Sequence, residues 1–428
     1  MFFMANETIL TMDTSAIKYG IGATHEVGDD LVALGAKRTM LVTDPNLSGS
    51  IGVETTRAAL VEAGIEVVFY DRVRVEPTDD SFKAAIAFAV AENVDSFVAV
   101  GGGSVMDTAK AANLYSTFPD EFLAYVNAPI GQAKPVPGRL KPLIAIPTTA
   151  GTGSETTGTT IFDLKERHVK TGIANRALRP ALGIIDPLNM VSMPPMVTAC
   201  SALDVLSHAV ESYTALPYDQ REAALSPKMR PAYQGSNPIS DIWALKAAEM
   251  MAKNLERVME YPDDLEARGE MALASAYAGI GFGNAGVHLP HGMSYPVAGM
   301  VRDYHAPDYP ADHAMVPHGM SVILNAPAVF RFTGIAQPER HLEAARILGA
   351  DVTGAGPEDA GELLALATID LMKRTNMPSG LAAVGYTEAD IPALVEGTLP
   401  QHRVTKLSPR PFTPDDLAGM FRDAMRYW

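Results

Sequence analysis

Five short apolar runs constrain this chain more than any other feature. "TMLVT" (Thr39–Thr43), "IEVVFY" (Ile65–Tyr70), "SFVAV" (Ser96–Val100), "LIAI" (Leu143–Ile146) and "LGIID" (Leu182–Asp186) are short and read as buried strands. Strands buried on both faces belong to a parallel sheet covered on both sides. Between them, "GVETTRAALVEAG" and "DDSFKAAIAFAVAENV" are rich in alanine and carry apolar residues at helical spacing, which makes βαβ units. "TTIFDLKERHVKTGI" has two β-type runs around a charged turn and predicts a hairpin. After "SMPPM" (Ser192–Met196) the β-branched runs thin out. Helical patterns such as "TACSALDVLSHAVESYTAL" and "DIWALKAAEMMAKNLERVMEY" then dominate to the end. The expected architecture is an α/β domain with a parallel sheet over residues 1–193, followed by an all-α domain over residues 194–428.

The net charge of −16 repels phosphate backbones and anionic lipid, so neither nucleic acid nor a membrane is an expected partner. A single cysteine, Cys200, excludes an intrachain disulfide framework and fits a reducing compartment. The N-terminal "MFFMANETILTMDTSAIKYG" has neither the basic and apolar regions of a signal peptide nor the Arg-rich pattern of a transit peptide. A cytoplasmic location is therefore expected. The span from Met271 to Val301 has no charged residue, yet holds Asn284, His288, His291, prolines and glycines. Burial beside a functional site explains that composition better than membrane insertion.

Two glycine-rich segments follow strands. "VAVGGGSVMDTAK" sets Gly101, Gly102, Gly103 and Ser104 between a strand and a helix. Backbone N–H groups at such a helix start favour an anion. Alone, three glycines describe a tight turn equally well. "IPTTAGTGSE" adds a second strand-end loop with Thr148, Thr149, Thr152 and Ser154, and Asp44 ends the first strand. A carboxylate there accepts from an adenosine ribose and repels a 2′-phosphate, so the three strand ends together point to a dinucleotide.

The pentapeptide "PHGMS" occurs at Pro290–Ser294 and at Pro317–Ser321, in a neighbourhood that holds five of the ten histidines. Upstream, "ALDVLSHAVESY" places Asp204 and His208 at i, i+4 on one helical face. By itself such a pair is more often just an exposed or hydrogen-bonded couple. With His291 and His318 it makes one carboxylate and three imidazoles, a set suited to Fe²⁺ or Zn²⁺ rather than to Ca²⁺ or Mg²⁺. His288 is a candidate to reach substrate or support a ligand. His305 and His313 read as surface residues, and His25, His168, His341 and His402 have no partner pattern.

These motifs, in this order and spacing, resemble the iron-dependent alcohol dehydrogenase family over nearly the whole chain. The resemblance implies a dehydroquinate synthase-like architecture: an N-terminal dinucleotide-binding domain and a helical metal-binding and substrate domain. It implies Fe²⁺ on Asp204, His208, His291 and His318, each "PHGMS" copy giving one imidazole from a turn, with Zn²⁺ possible in isolated protein. NAD(H) would be held by Asp44, Gly101, Gly102, Gly103, Ser104, Thr148, Thr149, Thr152, Thr157 and Lys170. Small-molecule alcohol, hydroxyacid or oxoacid substrates and a homo-oligomer, a dimer, are the expected partners. Many members have a histidine where this chain has Tyr295, and the segment between the two downstream histidines is longer here. Those departures look like a transhydrogenating branch that passes a hydride from a hydroxyacid such as 4-hydroxybutyrate to 2-oxoglutarate. Tyr295 then serves as a proton relay or substrate contact. Arg302, or Arg230 after it, serves as the cation for a carboxylate. The rival readings are an NAD-dependent dehydrogenase that releases NADH, and a metal- and nucleotide-binding protein without catalysis.

Overall fold

The computed structural model describes residues 6–167 and 169–428, so His168 and the first five residues lie outside the described part. Six strands form one parallel sheet: β1 (Ala16–Tyr19), β2 (Arg38–Val42), β3 (Glu66–Tyr70), β4 (Ser96–Gly101), β5 (Leu143–Pro147) and β8 (Leu182–Ile185). The expected hairpin is present as β6 (Thr159–Leu164) and β7 (Val169–Ala174), an antiparallel pair outside the main sheet. β1 escaped the sequence reading because it is a four-residue edge strand, "AIKY", with no buried residue. An edge strand shows one side to solvent and lacks the apolar run of a central one.

The central strands explain why those runs do not alternate. All six residues of β4 are buried. Phe97 and Ala99 pack with Ala85, Ala89, Val105 and Ala109, from α3 (Asp79–Ala91) and α4 (Gly103–Thr117). Val98 and Val100 pack on the other face with Val27 and Leu31 of α1 (Val27–Ala33) and Val53 and Leu60 of α2 (Ile51–Glu62). The helices begin where their caps dictate. Ser50 accepts from Val53 N–H, and Thr78 and Ser81 form a reciprocal capping box.

Strand order is β1-β8-β5-β4-β2-β3. The chain steps outward from β2 to β3, then returns across β2 to place β4 on its other side. The order therefore reverses between β2 and β4, and in open parallel sheets ligands bind beyond the carboxyl ends at such a reversal. Asp44 follows β2 and Gly101–Ser104 close β4, so both sit at that point.

The chain divides into two compact units. The sheet unit comprises Thr14–Pro194 with Glu260–Gly279. The other holds the described residues up to Asp13, then Pro195–Met259 and Ile280–Trp428. This second unit is helical. Its elements include α5 (Pro195–Thr214), α6 (Pro238–Glu260), α8 (Leu289–Gly299) and α9 (His318–Ile323), with α7 (Leu265–Ala285) preceding α8 in the chain. The uncharged span from Met271 to Val301 is buried over nearly all its length.

Candidate functional site

Helix α5 carries Asp204, His208 and Glu211 at i, i+4 and i+7, all turned inward and at most 3% exposed. His291 lies in the first turn of α8 and His318 is the first residue of α9. The donor atoms of Asp204, His208, His291 and His318 all fall within 4.8 Å of one another. His208 Nδ1, His291 Nε2 and His318 Nε2 stand 3.7–3.8 Å from Asp204 oxygens. Those separations are long for hydrogen bonds. They are close to the spacing of about 3.4 Å between donors held tetrahedrally around one ion.

The chemistry of the donors fits an ion as well. His291 Nε2 is buried with no hydrogen-bond partner, a costly state for a polar atom unless a ligand occupies it. Burial, with the Arg403 charge adding to it, pulls the His291 imidazole down to about 3, so the ring is neutral. Its Nδ1 meets Glu211 Oε1 at 2.6 Å, which leaves the Nε2 lone pair facing the cluster. Glu211 also accepts from the backbone N–H groups of His288 at 2.8 Å and His291 at 3.4 Å. His208 is steadied differently, its ring stacked on Phe282 with centroids 3.9 Å apart.

Each letter of the repeated pentapeptide has a local role. Pro290 is the second residue of α8 and Pro317 the N-cap of α9, so the histidines come from helix starts and not from the expected turns. Proline is favoured there because its missing N–H has no helical acceptor to lose. Ser294 and Ser321 donate back to the carbonyls of His291 and His318, at 2.7 and 2.8 Å. Met293 and Met320 are wholly buried. The glycines permit close packing. A Cβ on Gly292 would stand 2.8 Å from Thr405 Cγ2, and one on Gly319 only 2.1 Å from the Cys200 carbonyl oxygen.

In the sheet unit the glycine loops lie against each other. A Cβ at Gly103 would sit 2.8 Å from Thr152 Cγ2, and one at Gly102 would be 3.3 Å from Thr149. Thr148 N–H donates to the Gly101 carbonyl at 3.1 Å. Beneath them the buried Lys110 donates to Ser154 O at 2.8 Å, Ser154 Oγ at 2.6 Å and Thr159 O at 3.0 Å. Asp107 Oδ2 accepts from Ile161 N–H at 2.9 Å. Burial pulls the Lys110 ammonium down and pushes the Asp107 carboxyl up, each opposed by the other's charge. This pair ties α4 to the second loop. Asp44 is buried, and its carboxylate accepts from Asn46 N–H at 2.8 Å while burial raises its pKa. Ser104 Oγ accepts from Glu76 N–H at 3.1 Å. Lys170 pairs with Glu76 and lies 3.7 Å from Asp163. Thr157 is buried 3.5 Å from Lys110 Nζ.

The remaining candidates fall in different places. Tyr295 is buried on α8, one turn beyond His291, and its hydroxyl accepts from Arg403 Nη2 at 2.7 Å. Arg302 is 55% exposed and ion-paired to Asp390 at 2.6 Å. Arg230 pairs with Glu7 at 3.2 Å. Neither arginine is in contact with the ligand set. His288 is fully buried, with Nε2 3.1 Å from Thr214 Oγ1. His305 is exposed as expected, whereas His313 is half-buried against Asp312. Sequence reasoning passed over two residues. Glu211 continues the i, i+4 pattern to i+7, a signal that was readable. Arg403 lies more than a hundred positions from Tyr295 and offered none.

Comparison with known proteins agrees with this geometry. Residues 14–187 match the family described as iron-containing alcohol dehydrogenase, and residues 232–425 match the C-terminal region of the same family. A Bos taurus protein named hydroxyacid-oxoacid transhydrogenase, mitochondrial, is 59% identical over 97% of this chain and 90% of its own length. The Homo sapiens protein of that name is 58% identical over the same shares. Both names place those proteins in mitochondria, which overturns the expectation of a cytoplasmic location. Among solved structures, a 1,3-propanediol oxidoreductase superposes with a TM-score of 0.84 at 30% identity, covering 97% of this chain and all of its own. A Bifidobacterium kashiwanohense sulfoacetaldehyde reductase in complex with NAD⁺ gives 0.77 at 27% identity, covering 98% of this chain and 99% of its own.

Proposed function

The chain belongs to the iron-containing alcohol dehydrogenase family, and on that premise we propose that it acts as a hydroxyacid–oxoacid transhydrogenase. In this reading a hydride passes from a hydroxyacid such as 4-hydroxybutyrate to 2-oxoglutarate, yielding succinic semialdehyde and 2-hydroxyglutarate. What carries the reading is the near-60% identity to transhydrogenases across almost the whole chain. The intact set of Asp204, His208, His291 and His318 supports it.

Residues 194–428 would hold Fe²⁺ on that set, with Zn²⁺ able to replace it because zinc ranks higher in intrinsic affinity. Residues 1–193 would hold NAD(H) at the strand ends that carry Asp44, Gly101–Ser104 and Thr148–Thr157. When bound, the ion polarises a substrate oxygen as a Lewis acid and the nicotinamide takes up and returns the hydride. The chain's own contribution is to fix the ligands and handle charge and protons. Glu211 holds the His291 ring through Nδ1. One carboxylate and three neutral imidazoles leave a divalent ion net positive, which suits anionic substrates. The Tyr295 hydroxyl exchanges the alcohol proton, under the influence of the Arg403 guanidinium on its oxygen.

The test omits free cofactor. Purified protein given 4-hydroxybutyrate and 2-oxoglutarate, without added NAD⁺, is expected to form both products in equal amounts by mass spectrometry. Ping-pong kinetics are expected because one product leaves before the second substrate enters. Turnover strictly proportional to added NAD⁺, with NADH released mole for mole, would instead make the chain a dehydrogenase.

Cofactor choice gives a second expectation. Asp44→Gly removes a buried carboxylate at the reversal point of the sheet and should improve binding of NADPH relative to NADH by roughly tenfold or more. Fluorescence titration of both dinucleotides checks this, and an unchanged preference would mean that Asp44 does not face the ribose.

A further inference from the structure

Arg403 is a cation in an unusual position. It sits on the short helix His402–Thr405, which packs on α8 beside Gly292. Its Nη2 donates to the Tyr295 hydroxyl at 2.7 Å, and its guanidinium lies over the Tyr233 ring, 4.8 Å from the centroid. Its Nη1 is buried with no hydrogen-bond partner. Among the described residues it forms no ion pair with an Asp or Glu, and the polar side chains that meet it are those of Tyr295 and Tyr233. Arg38, Arg230, Arg302, Arg331, Arg340 and Arg374 each have a carboxylate partner. Arg403 is half-buried, but a guanidinium with a buried, unanswered Nη1 and no anion costs free energy that a fold keeps only for a reason.

Two chains of contact lead from Arg403 to the ligand set. Through Tyr295 it reaches α8 one helical turn past His291. Through Tyr233 it reaches Phe282, edge-on at 6.4 Å, and Phe282 stacks directly on His208. Its charge is felt at His291, whose imidazole it helps to keep neutral. The vacant donor is thus on a fixed cation next to the metal ligands.

We propose that Arg403 is the anchor for the substrate carboxylate, with the Tyr295 hydroxyl holding the guanidinium in register. The inference rests on the transhydrogenase reading for the identity of the substrates, and the shape of those substrates sharpens it. In 4-hydroxybutyrate the reacting carbon is separated from the carboxylate carbon by three carbon–carbon bonds. In 2-oxoglutarate the reacting carbon is separated by the same three bonds from its distal carboxylate. One arginine at a fixed distance from the ligand set therefore serves both half-reactions, and works as a ruler for chain length. Hydroxyacids and oxoacids one carbon shorter or longer fall out of register together.

The experiment compares wild type with Arg403→Gln and Arg403→Lys, using metal-loaded protein. The substrates are 4-hydroxybutyrate, 2-oxoglutarate and, as a neutral alcohol of the same chain length, butan-1-ol. In Arg403→Gln, KM for both carboxylates is expected to rise roughly tenfold to a hundredfold, well beyond any loss on butan-1-ol, which reports only what the change does through Tyr295. Arg403→Lys keeps the charge without the fork and is expected to fall between them. It also carries the test if the glutamine variant fails to fold. Equal losses on butan-1-ol and on the carboxylates would reduce Arg403 to a packing residue and overturn the proposal, as would unchanged KM values. The two readings fail separately. Release of NADH would sink the transhydrogenase reading and leave the acid-against-alcohol comparison intact. Transhydrogenation indifferent to Arg403 would do the reverse.

Discussion

His318→Ala is expected to leave a folded protein with no stoichiometric metal and no measurable turnover. Loss of the ion removes several kcal/mol of charge stabilisation, so activity should fall on the order of a thousandfold or more. The fold should survive because His318 opens a short helix and its side chain retains 24% exposure. Glu211→Gln is expected to be milder. It removes the charge that orients His291 without removing a ligand, and metal affinity should drop roughly tenfold to a hundredfold. Elemental analysis per chain, circular dichroism and turnover together decide the matter. A His318→Ala protein with full metal and full activity would remove that residue from the ligand set.

The second large effect concerns folding. Gly319→Ala must place a methyl group 2.1 Å from the Cys200 carbonyl oxygen and 3.0 Å from Asp204 Cβ. The main obstacle is backbone of α5 and cannot turn aside, so α9 has to back away. A cost of about 3 kcal/mol or more is expected, at the upper end for overpacking. Gly419→Ala is the contrasting control. It lies in the helix Pro414–Asp423, where an added methyl group meets nothing within 4 Å, and should stabilise by up to about 1 kcal/mol. Denaturant midpoints measured on both variants should shift in opposite directions. A Gly319→Ala midpoint equal to wild type would mean that α5 and α9 pack less closely than described.

The parallel sheet was legible because strands buried on both faces leave uninterrupted apolar runs, and five of its six strands were found within a residue or two. The sixth, "AIKY", has no buried residue and left no such trace. The metal ligands were legible because an Asp and a His four apart, and two identical pentapeptides, survive as local words. The ordering of strands was not. No short stretch records that β4 returns across β2, and only the assembled sheet shows Asp44 and Gly101–Ser104 flanking one reversal. Arg403 was hidden for a related reason. Arg302 stands out in sequence for its place in an unusual segment, but it is answered by Asp390 on an exposed surface. Whether an arginine is answered by a carboxylate depends on which residues meet in space, and sequence spacing carries no record of that.

The three helices that supply the ligands also carry a thermodynamic consequence. Asp204 and His318 are separated by more than a hundred positions, yet their donors converge on one point in the helical unit. An ion there acts as a crosslink between α5, α8 and α9. Because an unfolded chain cannot present these donors together, any free energy of ion binding adds to that of folding by mass action. The persistence of the protein in its compartment is then tied to the supply of the ion. Scarcity of the metal lowers the amount of folded protein as well as the activity of each molecule, and a more abundant competing ion can rescue the first without restoring the second.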